Sequence, residues 1–504
     1  MSHPPYPPQS SVVLRTLAGG KLGVWPLVFT VLSAAAPLTV VASGATTGWA
    51  VTGVTGIPIG YISVALALSL FVVGFVAMSR RISNAGAFYT YVARGLGRPF
   101  GVATAFVAVL AYNAMQIGCV GGFGYIAVDY LKQQGIIALP WWLIALLGIG
   151  IVGVLGVSRI DLNGKVLAVL LIAEIVVSMI LAVAQVLHPA GAAVTYTTLN
   201  PSSLASSEGG TVQAIAFAGF VGIEGTAVFS EEAKDPRRTV ARATFIALFL
   251  IGALYSFCSW ALSVATGPDQ IVARATAEGP DLTFNLAAPY VGAFIVNLGH
   301  LLLITSLFAA MLAFHHCTAR YFYSLGREEV FPRFLGTTAP RSKAPLGGSL
   351  AQTGLAAAII ALYATAGWDP LTQLFFWLTV LGGFGVLAMM VLTSAAIVRF
   401  FNQVPGRERD NAWRTVFAPS LAFMVLGWIG WETATDFARL LGVSPGHPAA
   451  TLLPLSFLAA AAAGLLWSGW LALCRPHVYQ VIGRGAETAL ATLDPATHRA
   501  AVRR

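Results

Sequence analysis

The stretch FAGFVGIEGTAVFSEEAKDP, Phe217 to Pro236, sets Glu224 inside a run of apolar and small residues and then ends in charge. A second acid, Glu174, sits in NGKVLAVLLIAEIVVSMILAV with apolar or small residues on both sides. Ionisable groups at such depth are rare and mark a pathway or a polar partner. Glu174 either changes protonation as water reaches it, which makes it a proton-coupling element, or stays neutral and hydrogen-bonds a neighbouring helix. Glu224 can receive the amino group of a substrate, brace a broken helix by accepting from freed N–H groups, or titrate. Phe220, four residues earlier, either caps a small bound molecule or packs as ordinary core. Thr305 and Ser306 offer hydroxyls to a ligand or back to the carbonyls of their own helix. His315 and His316 are adjacent, so on a helix they point about 100° apart and cannot chelate one ion as an i, i+4 pair can. No metal or cofactor is expected. The chain carries no HExxH, GxSxG, nucleotide loop or acid pair at helical spacing, so an enzyme is not expected.

What must hold these residues is a membrane bundle. The 504 residues are 57% hydrophobic and 10% charged, against about 25% charged in a soluble domain. Mean hydropathy is +0.78. The apolar runs are continuous, which excludes the alternation of a transmembrane barrel. At about 20 residues per span, the runs predict about twelve helices. They centre near Thr30, Leu68, Val109, Gly148, Val176, Phe220, Gly252, Ile304, Ala357, Leu387, Phe423 and Ala461. The expected fold class is an all-α integral membrane protein. Starting inside, twelve spans put 26 of the 29 lysines and arginines in the cytoplasm and leave only Lys132, Arg274 and Arg439 outside. The net charge of +9 is therefore topology and not a nucleic-acid footprint. Both termini are expected in the cytoplasm, and the location is the cytoplasmic membrane. Residues 1–20 and 476–504 read as cytoplasmic tails, the first disordered and without signal-peptide character, the second with a small surface helix and a basic end. Cys119, Cys258, Cys317 and Cys474 show no metal or disulfide spacing and read as structural.

Two spans carry breaks. Pro37, in AAAPLT, removes a backbone donor and should kink the first helix; Gly219, Gly222 and Gly225 weaken the sixth. Freed backbone groups in a bilayer must meet protein or a water-filled cavity. The first and sixth spans are corresponding members of two consecutive five-helix blocks, as in transporters built from inverted repeats. The organisation is then 21–200 for the first repeat, 201–402 for the second, and 403–475 for two further helices. Between the second and third spans, MSRRISNAGAFYTYVARGLGRPFG predicts a short amphipathic helix at the cytoplasmic surface, which either gates the inner mouth or anchors the loop.

Three stretches resemble the amino acid–polyamine–organocation transporters. GIEGTAVFSEEAKDPRRTVARA is similar to their sixth-helix signature, SNAGAFYTYVARGLGRPFG to their loop after the second helix, and TARYFYSLGREEVFPRFL to their run after the eighth. With the spans in register, the resemblance covers roughly Gly20 to Trp470. It implies the leucine-transporter fold, a 5+5 inverted repeat plus two C-terminal helices. It also implies a midplane substrate site formed by Ala36, Pro37, Leu38 and Thr39 of helix one and Ala218, Gly219, Phe220, Val221 and Gly222 of helix six, with Glu224 beside it. Phe220 matches the family's gating aromatic. Two departures stand out. Many members have Gly-x-Gly where this chain has Ala36-Pro37-Leu38-Thr39, and proline lacks a donor for a substrate carboxylate. Glu174 occupies the fifth-helix position where proton-coupled relatives carry lysine, so it either couples protons differently or helps ligate sodium with Thr305 and Ser306.

The expectation is a secondary transporter taking amino acids or related amines inward by alternating access with proton coupling. An amino acid or polyamine exchanger and a sodium symporter are the alternatives. The expected partners are a small-molecule substrate, a proton or sodium ion, and membrane lipid.

Overall fold

In a computed structural model of the chain, residues 17–136, 139–158, 160–191, 193–206, 208–405 and 410–484 are described. Most of both expected tails, residues 1–16 and 485–504, lies outside the described residues. α1 (Val24–Ala34) ends where Ala36 adopts left-handed backbone, φ 44° and ψ 67°. α2 (Pro37–Thr39) restarts with proline at its first position, where the missing N–H would have had no helical partner anyway. A π-helical turn, Val40–Gly44, leads into α3 (Ala45–Thr52). Then come α4 (Ile57–Ser79), α5 (Ala87–Gly95), α6 (Arg98–Gln133), α7 (Trp141–Gly156) and α8 (Ile160–Leu187).

The second break separates α9 (Gly209–Ala218) from α10 (Gly225–Val228), with residues 219–224 non-helical between them. α11 (Pro236–Thr266) and the short α12 (Ile271–Glu278) follow. α13 (Leu282–Arg327) carries a kink at Gly292. α14 (Leu346–Ala366) is followed by a second π-helical stretch, Pro370–Phe376, which runs into α15 (Trp377–Gln403). α16 (Ala418–Thr435), α17 (Phe437–Leu440), α18 (Pro448–Cys474) and α19 (Pro476–Val481) close the chain.

Ten helical stretches among the described residues are long and apolar enough to cross a membrane, against the twelve expected. The shortfall is physical. α7 has 16 residues, and the sixth apolar run is split by its glycines into pieces of 10 and 4. α6 runs through the middle of the bundle, packed by α13, α15 and α18. α18 is the opposite case: Leu466 and Leu473 are 76% and 85% exposed, as suits side chains that meet lipid.

α5 corrects one expectation. It does not lie on a surface, since Ala87 to Ala93 are all buried and only Arg94 emerges. The helix is wedged against α6 and α15, and the rings of Phe88 and Tyr91 pack on Phe75 at 5.7 and 5.4 Å. The stretch reads as amphipathic because it mixes basic residues with Ala87, Phe88, Tyr89, Tyr91 and Val92, but within α5 itself Arg94 is the one basic residue. The rings are in fact core.

One end of the bundle is closed by the three motifs themselves. Glu232 takes two hydrogen bonds from Arg320, at 2.7 and 3.0 Å, and Glu231 takes two from Arg327, at 2.8 and 2.7 Å. The Ala85 N–H also donates to Glu231, and Ser324 donates to Asn84. Ahead of α1, the N–H groups of Lys21 and Leu22 both donate to the Glu232 carbonyl, and Lys234 returns a bond to Leu22. The entry to the first broken helix is thus stitched to the exit of the second.

Burial pushes the Glu231 carboxyl up, but the charge and hydrogen bonds of Arg327, with the Ala85 N–H, outweigh it and hold the group below its ordinary range. A carboxyl held low in the folded state contributes stability above its unfolded pKa of about 4.3 and loses it as pH falls through the folded value. Thermal unfolding in detergent should therefore show a midpoint that drops below about pH 4. Glu231→Gln should flatten that drop and lower stability at neutral pH. An unchanged acid limb in the variant would assign the drop to other carboxyls.

Candidate functional site

The two helix breaks face each other across a cavity of about 150 Å³. The hydroxyl of Tyr255, on α11, lies 2.7 Å from the Ala35 carbonyl and 3.0 Å from that of Gly219, so one side chain ties the breaks together. Two of the three π-helical stretches among the described residues also border the cavity, through Val40, Ser43 and Gly44 on one side and Phe375 and Phe376 on the other, whereas Trp413–Phe417 does not. Such turns leave the regular ladder and recur at functional sites.

The cavity sorts the residues that sequence singled out. Ala36 and Thr39 line it from the first break, and Ala218, Gly219 and Val221 from the second. Pro37, Leu38, Gly222 and Glu224 do not line it, and neither does Phe220. Phe220 is fully buried among the rings of Tyr61 and Tyr255, with centroids 6.3 and 5.5 Å away, where it supports the wall from behind. The aromatic residues that line the cavity are Phe217, Phe314, Phe375, Phe376 and Phe384, with Tyr61. Sequence reasoning passed over these phenylalanines because such a ring in an apolar span carries no signal of its direction. Tyr61 and Tyr255 did carry one, as polar-tipped rings at membrane depth.

Glu224 takes the bracing role. Its carboxylate accepts from the Tyr112 hydroxyl at 2.8 Å and from the Gly222 N–H at 2.9 Å, so it satisfies a donor freed by the break. Glu174 stands at the other break. It is 1% exposed, accepts from the Ser306 hydroxyl at 2.8 Å, and lies beside the Leu38 N–H in the first turn after Pro37. A carboxylate there also meets the positive end of the restarted helix. Thr305 does not join the group: its hydroxyl bonds back to the Leu302 carbonyl at 3.1 Å. Asn113 and Gln116 lie outside the cavity as well. Asn113 donates to the Val109 carbonyl, and Gln116 accepts from Gln352.

The polar content of the cavity is consequently small. Among the described residues its lining includes no Asp, Glu, Lys, Arg or His. Thr39, Ser43 and Tyr61 are among the residues that line it, and their hydroxyls are buried without a hydrogen-bond partner. An unpaired buried hydroxyl is costly, so three at one cavity form a place ready to receive a polar group from a guest. The site can bind and release an organic molecule.

A family model described as amino acid permease matches residues 22–461. The chain is 24% identical over 407 residues to the low-affinity putrescine importer PlaP of Escherichia coli (strain K12), covering 77% of this chain and 84% of the relative. It is 31% identical over 157 residues to an uncharacterized transporter of Mycobacterium tuberculosis (strain ATCC 25618 / H37Rv), covering 30% of this chain and 32% of that one.

Proposed function

The chain belongs to the amino acid permease family, and on that premise we propose that it is a secondary transporter carrying amino acids or related amines into the cell by alternating access. The observation that supports this best is the cavity between two interrupted helices, with three hydroxyls left unpaired and the neighbouring carboxylates committed to the helix breaks. Irregular backbone at membrane depth is tolerated where it lines such a cavity. In this reading α7 and the split α9–α10 segment complete twelve spans. The spans group as repeats 21–200 and 201–402 plus the pair in 403–475, and the arginine-rich end closed by Glu231 and Glu232 faces the cytoplasm.

Proton coupling is favoured over sodium by the chemistry around Glu174. Its neighbours, the Ser306 hydroxyl that donates to it and the Leu38 N–H beside it, are donors, whereas a hard cation needs converging oxygen acceptors. Thr305, the third expected sodium ligand, is turned to its own helix. Protonation of Glu174 would weaken its pull on the Leu38 N–H beside it and loosen the start of the restarted helix, which links a proton to the motion of the break. Import of putrescine by a relative supports the inward direction and amine chemistry.

The test is uptake into proteoliposomes of labelled amino acids and amines, with and without an inward proton gradient, for the wild type beside Glu174→Gln. The gradient should drive accumulation in the wild type, and the variant should retain exchange only. Equal exchange by both proteins with no effect of the gradient would make the chain an exchanger and Glu174 a structural cap.

A further inference from the structure

We infer that the substrate is a monoamine: one ammonium on an apolar body, with neither a carboxylate nor a second charge. This rests on the transport reading above and names the guest of the same cavity.

A carboxylate would seek the N–H groups freed at the two breaks. Pro37 has none, the Leu38 N–H lies beside the buried Glu174 carboxyl, and the Gly222 N–H is held by Glu224. A substrate carboxylate would have to displace the protein's own carboxyl at Gly222 and would crowd the one beside Leu38. An ammonium faces the reverse situation. The hydroxyl oxygens of Thr39, Ser43 and Tyr61 have no partner and can accept its N–H bonds. Five phenylalanines line the cavity, and a phenylalanine ring attracts a cation placed over its face.

A second ammonium finds nothing. With no acidic side chain in the lining among the described residues, the far charge of a diamine would sit desolvated against Met115, Leu387 and the rings, which makes burial unfavourable. The same walls suit an apolar body. The chain therefore parts from the relative that imports putrescine, even though the two share an overall family.

Matched compounds separate these requirements. Purified protein in liposomes would be given labelled phenethylamine and isopentylamine, then phenylalanine and leucine as near-equivalent bodies bearing a carboxylate, and putrescine as the dication. Both monoamines should be taken up roughly tenfold or more faster than the other three, the difference one charged hydrogen-bonded contact makes. Ser43→Ala and Tyr61→Phe, which remove one hydroxyl each without changing the cavity's outline, should each weaken monoamine uptake while leaving the protein monodisperse. Faster uptake of phenylalanine, leucine or putrescine would overturn the monoamine assignment and leave the transporter reading standing. No uptake of any of the five by monodisperse protein would overturn both.

Discussion

Replacing Arg320 with methionine should lower the stability of the detergent-solubilised protein by about 3–5 kcal/mol, the cost of leaving one half of a buried ion pair alone. Arg320 and Glu232 are each 1% exposed, and the guanidinium makes two bonds to the carboxylate, a third to the His316 carbonyl at 2.9 Å, and lies 4.3 Å over the Phe229 ring. Removing it strands Glu232, whose backbone also anchors Lys21 and Leu22. The pair Arg333–Glu329 has a similar separation of 2.8 Å, but its arginine is 69% exposed. Exposed pairs are worth at most about 1 kcal/mol, so Arg333→Met should barely register. The double change Arg320→Met with Glu232→Met should recover most of the loss, since an apolar pair of similar volume is often neutral or better. Denaturant titration of the wild type and these three variants gives the comparison. A cost for Arg320→Met no larger than that of Arg333→Met would mean that water reaches the pair and that it closes nothing.

Much of this arrangement could be read before any coordinates, and the parts that could not share a cause. Proline and glycine act on their own backbone, so Pro37 and the glycines after Phe217 announced both breaks. The charges of Glu231, Glu232, Arg320 and Arg327 were visible too, but not their pairing, because residues some 90 positions apart in sequence meet only through packing. Direction about a helix axis was least legible. Placing Phe220 as a cap assumed helical spacing up to Glu224, yet residues 219–224 are not helical, and the ring turns to Tyr61 and Tyr255 instead. Ser306 and Thr305 looked equivalent, and only Ser306 reaches Glu174. Ala36, Thr39, Ala218, Gly219 and Val221 came out lining the cavity because the backbone near a break is itself the wall.

Gly222→Ala should destabilise the protein by about 2–6 kcal/mol, combining left-handed backbone strain with a forced contact. Gly222 adopts φ 117°, which an L side chain rarely tolerates, and a Cβ built on it would stand 2.6 Å from the Cβ of Ala34. Ala34 is the last residue of α1, so this is where one broken helix comes up against the other. The two contributions can be separated. Ala34→Gly removes the contact and costs up to about 1 kcal/mol by itself, as glycine does inside a helix. In that background Gly222→Ala should lose its steric share and keep the strain from φ. The cycle of four variants, followed by denaturant unfolding, should therefore show a favourable coupling of about 1–3 kcal/mol between positions 34 and 222. Zero coupling would place the whole cost in the backbone of the second break and remove any role for its contact with α1. If the helices slide against each other during transport, the contact matters in motion as well as at rest. Gly222→Ala should then slow uptake even in the Ala34→Gly background, because the strained backbone also carries the N–H that Glu224 holds.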